Sequence, residues 1–470
     1  MPVSGHVKNL SANLIQLILN QLSGVVVFLI LSNSLSKSQF GDFNWALAVL
    51  LAVFNLLTMG IDQLMVRKIA MVEDEVKTIG LYLIHVLITG TCFWLLILLL
   101  WLLLPFHQEQ LYLLLILGIG KLMIYLSGPF KQLANGKERF RLLTIMSVGA
   151  GLVKCFALLL VWQLHLFNIE MAAVIFVLAE AIEFVISVSL CRFYLKIPIS
   201  LSFNAGAYIA LIKEARHQAG VVLFTSALSR FDWIFIGMFL SSVRLAEYSF
   251  AYKIFEVSTL PLAAIGALLL PRFSKIYSKR RKFAPSLFNL LDWEISFAVL
   301  TALVLNLCWR YFADPLTGNK YGAVNADVVL ILSLSVPFLY INNFLWSIAF
   351  AKGRTKLIFR IFSVTFGVNL AADLLLIPLL GNTGAAIGYL MAIVVQSILF
   401  CRAVKEAHYR PLIIACINLV LAAGISYTAI RLFSGFVPVM LAGIIPYAVV
   451  VWIFKQLKPL PPRAIEKVAA

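Results

Sequence analysis

The sequence predicts an all-α polytopic membrane protein that crosses the bilayer about 14 times. Three observations predict it. Hydrophobic residues fill 62% of the 470 positions and charged residues 13%, whereas a soluble domain sits near half apolar and a quarter charged. The mean hydropathy of +0.97 is concentrated in a series of apolar runs, each close to the ~20 residues that a helix needs to cross hydrocarbon. The 38 Lys and Arg residues alternate with those runs. Loops of one side carry 29 of them, and loops of the other carry five: Lys37, Arg244, Arg310, Lys320 and Arg431. The positive-inside rule produces that asymmetry, so the net charge of +17 needs no nucleic-acid partner and none is expected.

The first run, about Asn13 to Leu31, is long enough to span and lacks the small-residue cleavage site of a secretory signal. Its centre is near residue 22, and further runs centre on residues 52, 92, 121, 153, 181, 229, 258, 302, 338, 368, 393, 422 and 446. Charge follows the even-numbered runs: Arg67, Lys68 and Lys77, then Lys131, Lys137, Arg139 and Arg141, then Arg192, Lys196, Lys213 and Arg216. Arg272, Lys275 and the Lys279-Arg280-Arg281-Lys282 run come next, then Lys352, Arg354, Lys356 and Arg360, then Arg402, Lys405 and Arg410. The tail adds Lys455, Lys458, Arg463 and Lys467, which puts both termini on the cytoplasmic side. Loops of the opposite side are short and carry turn residues, as in Pro105-Phe106-His107, Asp314-Pro315 and Gly381-Asn382-Thr383-Gly384.

No loop is long enough for a globular domain, so function must be housed in the helices and their ends. The longest, about Arg192 to Gln218, contains an amphipathic stretch from Ala207 to His217 that is expected to lie on the inner membrane surface. Cys92, Cys155, Cys191, Cys308, Cys401 and Cys416 lie in or at the ends of apolar runs without paired or metal-type spacing, and read as small buried hydrophobes. No Gly-Lys-Ser/Thr phosphate loop and no His/Glu cluster of metal-ligand spacing is present, so neither an enzyme nor a cofactor nor a metal site is expected.

The chain also repeats itself. At an offset of 205, Gly41-Asp42-Phe43-Asn44-Trp45-Ala46 matches Ala246-Glu247-Tyr248-Ser249-Phe250-Ala251, and Arg67 falls on Arg272. At an offset of 215, Lys137, Arg139, Arg141 and Leu142 match Lys352, Arg354, Lys356 and Leu357. Two six-helix copies in one orientation follow: residues 1–200 form a first lobe, 201–405 a second, and 406–470 two additional spans with a cytoplasmic tail. Parallel repeats are related by an axis along the membrane normal, with the transport site between them.

Several stretches carry a resemblance to a known family. They are Leu35-Ser36-Lys37-Ser38-Gln39-Phe40-Gly41-Asp42-Phe43, Gly60-Ile61-Asp62 with Arg67, Asn135-Gly136-Lys137-Glu138-Arg139-Phe140, Ser229-Arg230-Phe231-Asp232 with Ile236-Gly237, Glu247-Tyr248, and the turn from Gly381 to Gly388. Together they make the chain resemble the polysaccharide transporter branch of the multidrug/oligosaccharidyl-lipid/polysaccharide (MOP) exporter superfamily, most nearly its O-antigen-type flippases. The resemblance covers nearly the whole chain. It implies a MATE-like fold, two six-helix lobes related by a pseudo-two-fold, a central cavity and alternating exposure of that cavity. It also implies a lipid-linked oligosaccharide as substrate, carried on undecaprenyl diphosphate, in a bacterial inner membrane. Membrane lipids and other polysaccharide-assembly membrane proteins would be its partners, and a monomer is expected.

A diphosphate head needs cations, and bonds from Lys or Arg to phosphate are among the stronger hydrogen bonds available. Lys121, Lys154, Arg230 and Lys253 lie inside apolar runs, where a cation costs roughly 2.5–3.5 kcal/mol, and they are the candidates for a cationic lumen. Glu180, Glu183, Asp232, Glu256 and Asp373 lie inside runs as well and could pair with them or bind a coupling ion. Lys253 and Glu256 are three apart, share a helix face and are expected to pair. Arg230 and Asp232 are two apart and are expected to have separate partners, while Lys121 and Lys154 have no carboxylate within a turn of their own helices. Asp62 is a further ion-coupling candidate but reads first as a solvated helix-end residue, and His85 as a packed histidine. Gly118 with Gly120, and Gly384 with Gly388, read as close helix packing. Three alternatives stand beside the glycolipid flippase. A cation-coupled drug exporter would want an anionic cavity, a membrane glycosyltransferase a large outer loop, and a peptidoglycan-precursor flippase the same physics as the first.

Overall fold

The computed structural model describes residues 3–70, 75–104, 108–197, 204–278, 286–404 and 409–456. The Lys279–Lys282 run, Lys405, the Pro105-Phe106-His107 turn and the tail residues Lys458, Arg463 and Lys467 lie outside them. Packing divides the chain into two compact units, Met1–Ala246 and Glu247–Ala470.

The first unit contains α1 (Val3–Ser34), α2 (Lys37–Leu57), α3 (Ile61–Ala70), α4 (Glu75–Leu103), α5 (Gln108–Gly136), α6 (Phe140–Gln163), α7 (Ile169–Ser189) and α8 (Ala205–Phe239). Local chemistry sets several of the starts. Ser36 and Gln39 form a capping box at α2, and the side chains of Asn168 and Asn204 accept from the third backbone N–H of α7 and α8. In α3, Asp62 occupies the first turn and Arg67 and Lys68 the last, each complementing the helix dipole. Helix α5 is the hub: α2, α3, α4, α6 and α7 all pack on it, while α1 packs on α6 and α8 on α2 and α3.

The second unit holds most of α9 (Ser242–Ser258), then α10 (Leu260–Ser278), α11 (Ser286–Thr317), α12 (Ala326–Leu334), α13 (Val336–Ala351), α14 (Thr355–Leu380), α15 (Asn382–Ala403), α16 (Arg410–Leu432) and α17 (Phe436–Gln456). Helix α11 packs on α12, α13, α16 and α17, and α15 on α12, α13 and α14. The last two helices are stitched to α11 by polar bonds, with the Tyr447 hydroxyl donating to the Ser296 carbonyl at 3.1 Å. Such bonds matter because apolar contact between helices gains little over contact with lipid. Outward-facing Leu103, Phe156, Val420 and Leu379 are 67%, 71%, 74% and 77% exposed, a pattern that only a hydrocarbon solvent accommodates. The chain is a membrane protein.

Each of the fourteen expected run centres lies on a helix. Eleven helices among the described residues are long and apolar enough to span. The other three expected runs fall on α1, whose apolar part is Leu19–Ser34, on the charged α8, and on the split pair α9 and α10. The split has a counterpart in the first unit. Between α2 and α3 the backbone turns left-handed at Met59 and Gly60, with φ of 50° and 70°. Glycine takes that conformation without the Cβ clash other residues meet. Both breaks precede the arginines that the 205-residue offset superposes, Arg67 and Arg272.

Two local expectations need correction. Helix α11 runs through Asp314-Pro315 to Thr317, because a proline this close to a helix end removes a single bond and the turn waits for Gly318 and Asn319, both at positive φ. The stretch from Ala207 to His217 is no separate surface helix but the start of the 35-residue α8, with Leu211 and Ala215 buried. The close-packing glycines behave as expected: Gly384 sits against the Leu376 carbonyl and Gly388 against Asp373.

Candidate functional site

Within the first unit, the facing surfaces of α5, α6 and α7 bring together Lys121, Lys131, Lys154, Glu180 and Glu183. Glu180 and Glu183 are three apart on α7 and therefore share a face. Lys121 of α5 donates to Glu180 Oε1 at 2.5 Å, and Lys154 of α6 donates to the same oxygen at 3.1 Å. The Lys154 ammonium also sits over the Phe176 ring, 4.0 Å from its centroid. Glu180 is 1% exposed, and its second oxygen, Oε2, has no hydrogen-bond partner. That oxygen rests on Gly120, where a Cβ would come within 2.2 Å of it and within 3.1 Å of the Val177 Cα. A glycine at 120 is thus what lets the carboxylate lie against α5.

The two ends of the cluster differ in charge. At Glu180 two lysines share one carboxylate. At the other end Lys131 pairs with Glu183 and stands within electrostatic reach of Asp62, so one lysine serves two carboxylates. Asp62 accepts from the Tyr82 hydroxyl and is only partly exposed, which corrects its expected solvated place; a first-turn residue is sheltered here because α3 packs on α5 and α4. Next to it the backbone break leaves the Leu57 carbonyl outside the helical ladder, and buried His85 answers it from α4. His85 Nε2 lies 2.8 Å from that carbonyl, which can only accept, so Nε2 carries a proton; Nδ1 meets the Tyr208 hydroxyl of α8 at 3.0 Å. The start of α8 is held further by Glu214, which pairs with Arg67 at 2.7 Å and Lys68 at 3.1 Å.

The other candidates lie elsewhere. Arg230 is on α8, half-buried, with its guanidinium 4.7 Å from the Trp233 ring centroid. Asp232 is buried beside it and accepts from the Trp233 backbone N–H at 2.8 Å. In the second unit Lys253 and Glu256 pair at 2.7 Å, as their spacing suggests, and Asp373 is fully buried on α14. Lys131 was not among the candidates, because it was counted with the basic loop after the fourth run, yet it lies inside α5, which continues to Gly136. Buried Asp292 and Glu294 were also missed, since they precede the apolar run of α11; Asp292 takes Arg410 at 2.5 Å.

A family model for polysaccharide biosynthesis proteins matches residues 6–277, more than half of the chain. The chain belongs to that family. Among curated proteins it is similar to the capsular polysaccharide biosynthesis protein CapF of Staphylococcus aureus, 21% identical over 390 residues that cover 81% of this chain and 94% of that one. Among solved structures it is similar to the lipid II flippase MurJ in an inward closed conformation, with a TM-score of 0.75 at 15% identity, covering 94% of this chain and 98% of that one. It is also similar to an inward-facing multidrug resistance MATE family transporter of the MOP superfamily, with a TM-score of 0.66 at 14% identity, covering 86% and 98%. At such identities the likeness to solved structures shows the fold alone, and that fold is MATE-like. Those two solved structures are a flippase and a transporter by name.

Proposed function

We propose that this protein is a flippase that carries undecaprenyl-diphosphate-linked oligosaccharide, a polysaccharide repeat unit, from the cytoplasmic to the periplasmic leaflet of a bacterial inner membrane by alternating access. The observation that carries the proposal is the pair of lysines on one buried carboxylate, at mid-helix in a chain of the polysaccharide biosynthesis family. An intramembrane ionisable group is costly and is retained where it meets a polar partner or substrate. Two ammonium groups meet at one carboxylate oxygen, with Glu183 also within electrostatic reach of Lys154, and a pair of adjacent cations suits a diphosphate better than a cationic drug.

Lys121 and Lys154 are assigned to the diphosphate, with Arg230 and Lys253 as further cations of the lumen. Asp62, Asp232, Glu183, Glu256 and Asp373 remain ion-coupling or charge-pairing groups, with transport driven by an ion gradient or the membrane potential. The division into lobes 1–200 and 201–405 with an addition at 406–470, the cytoplasmic termini and the monomeric state belong to the same proposal. Deleting the gene in its native host tests it. Surface polysaccharide should disappear while its lipid-linked repeat unit accumulates facing the cytoplasm, and peptidoglycan synthesis should continue. Accumulation of peptidoglycan precursor in place of the glycan lipid would assign the protein to that substrate instead.

A further inference from the structure

We infer that Glu180 is a displaceable internal anion: it occupies the two lysines while the carrier is empty and gives them up to the diphosphate of an incoming substrate. The inference rests on the diphosphate role proposed above for Lys121 and Lys154. Its basis is how the three side chains share their atoms. Both ammonium groups are satisfied by the same oxygen, Oε1, while Oε2 is buried against Gly120 with no hydrogen-bond partner. A carboxylate built for permanent pairing would be expected to offer one oxygen to each lysine, since buried charges are worth keeping only when all their bonding capacity is met. Here the second oxygen is left idle.

The lysines for their part are only partly enclosed, with side chains 12% and 15% exposed against 1% for Glu180. Lys121 comes from α5, Lys154 from α6 and Glu180 from α7, so three separate helices meet at one oxygen. Letting go of that oxygen frees both lysines in a single step.

The arrangement answers a problem that any carrier of an anion has. After release, two bare ammonium groups would be left in a low-dielectric interior, and that state would bind whatever anion was at hand or resist returning. Glu180 closes the empty site by itself. It also sets a threshold for entry, because a ligand must offer more than one carboxylate does. A diphosphate has several oxygens and more than one negative charge, whereas a lone carboxylate or chloride merely matches what is already there.

The test uses the full-length protein in nanodiscs, as wild type, Glu180→Gln, Glu180→Asp, Lys121→Gln and Lys154→Gln, titrated separately with undecaprenyl diphosphate and with inorganic pyrophosphate. Gln keeps the shape and removes the competing charge, so Glu180→Gln should bind about tenfold more tightly than wild type, a change of about 1.4 kcal/mol. Glu180→Asp, one methylene short of both lysines, should fall between the two, and it decides the matter if the Gln variant does not fold. The same variants should translocate more slowly, because their empty site no longer closes. Tightening for both ligands supports the inference for the lipid-borne diphosphate. Tightening for pyrophosphate alone supports the displaceable anion but assigns the site to a free diphosphate. If the lysine variants bind more weakly while both Glu180 variants bind as wild type does, Glu180 is a fixed structural partner; the inference fails and the diphosphate role survives. If none of the five proteins binds either ligand, both fail.

Discussion

Lys154 and Glu180 show how unequal sharing decides which substitutions matter. Removing either lysine leaves Glu180 with the other, so Lys121→Met or Lys154→Met deletes one cation and strands nothing. Glu180→Gln strands two ammonium groups at once, and breaking a buried pair by removing the shared partner costs about 3–5 kcal/mol. Thermal unfolding of the purified variants should accordingly show Glu180→Gln well below both lysine variants, and added pyrophosphate should restore part of that loss. Equal melting temperatures for the three would mean that the carboxylate is not shared in the way its distances of 2.5 and 3.1 Å indicate. The types and positions of these groups were legible in the sequence, because a charge inside an apolar run stands out. Their pairing was not. Lys121 and Glu180 are 59 residues apart, and only the packing of α5 on α7 joins them. Lys253 and Glu256 are the contrary case, three apart on one helix, and their pairing was readable directly.

The break between α2 and α3 is the element on which the first unit turns. It frees the Leu57 carbonyl inside the protein, where an unsatisfied acceptor costs about 1–3 kcal/mol, and His85 is the group that meets it. His85→Phe should lower the melting temperature by the full cost of that orphaned carbonyl. Tyr208→Phe should lower it less, because only the bond to Nδ1 is lost and the Leu57 contact survives. A Tyr208→Phe penalty as large as that of His85→Phe would show that the hold of α8 on α4, rather than the carbonyl, is what His85 secures. The helices themselves were readable from length and hydropathy, since lipid leaves a spanning segment few other ways to satisfy its backbone. The breaks escaped notice because Thr58-Met59-Gly60 and Thr259 are too small an interruption to lower the hydropathy of a run. Pro315 misled in the other direction, since it lies in the last turn of α11, where its missing N–H does little harm.

For the whole molecule, alternation of basic loops with apolar runs gave the membrane class, while the two offsets propose a repeat, and a helix break precedes each of Arg67 and Arg272. The division by packing falls after Ala246 rather than near residue 200, where the proposed lobes would meet, because α8 packs on α2 and α3. A repeat is a statement about sequence, and a compact unit one about contacts, so the two need not coincide. What the chain carries is a property of the assembled protein and is tested there. The decisive measurement is translocation of fluorescently labelled undecaprenyl-diphosphate oligosaccharide in proteoliposomes, read by protection from a membrane-impermeant quencher. Wild type should move the lipid across the bilayer, and Lys121→Gln combined with Lys154→Gln should not, in proteoliposomes matched for the amount of folded, inserted protein. Unchanged translocation by that double variant would contradict the account.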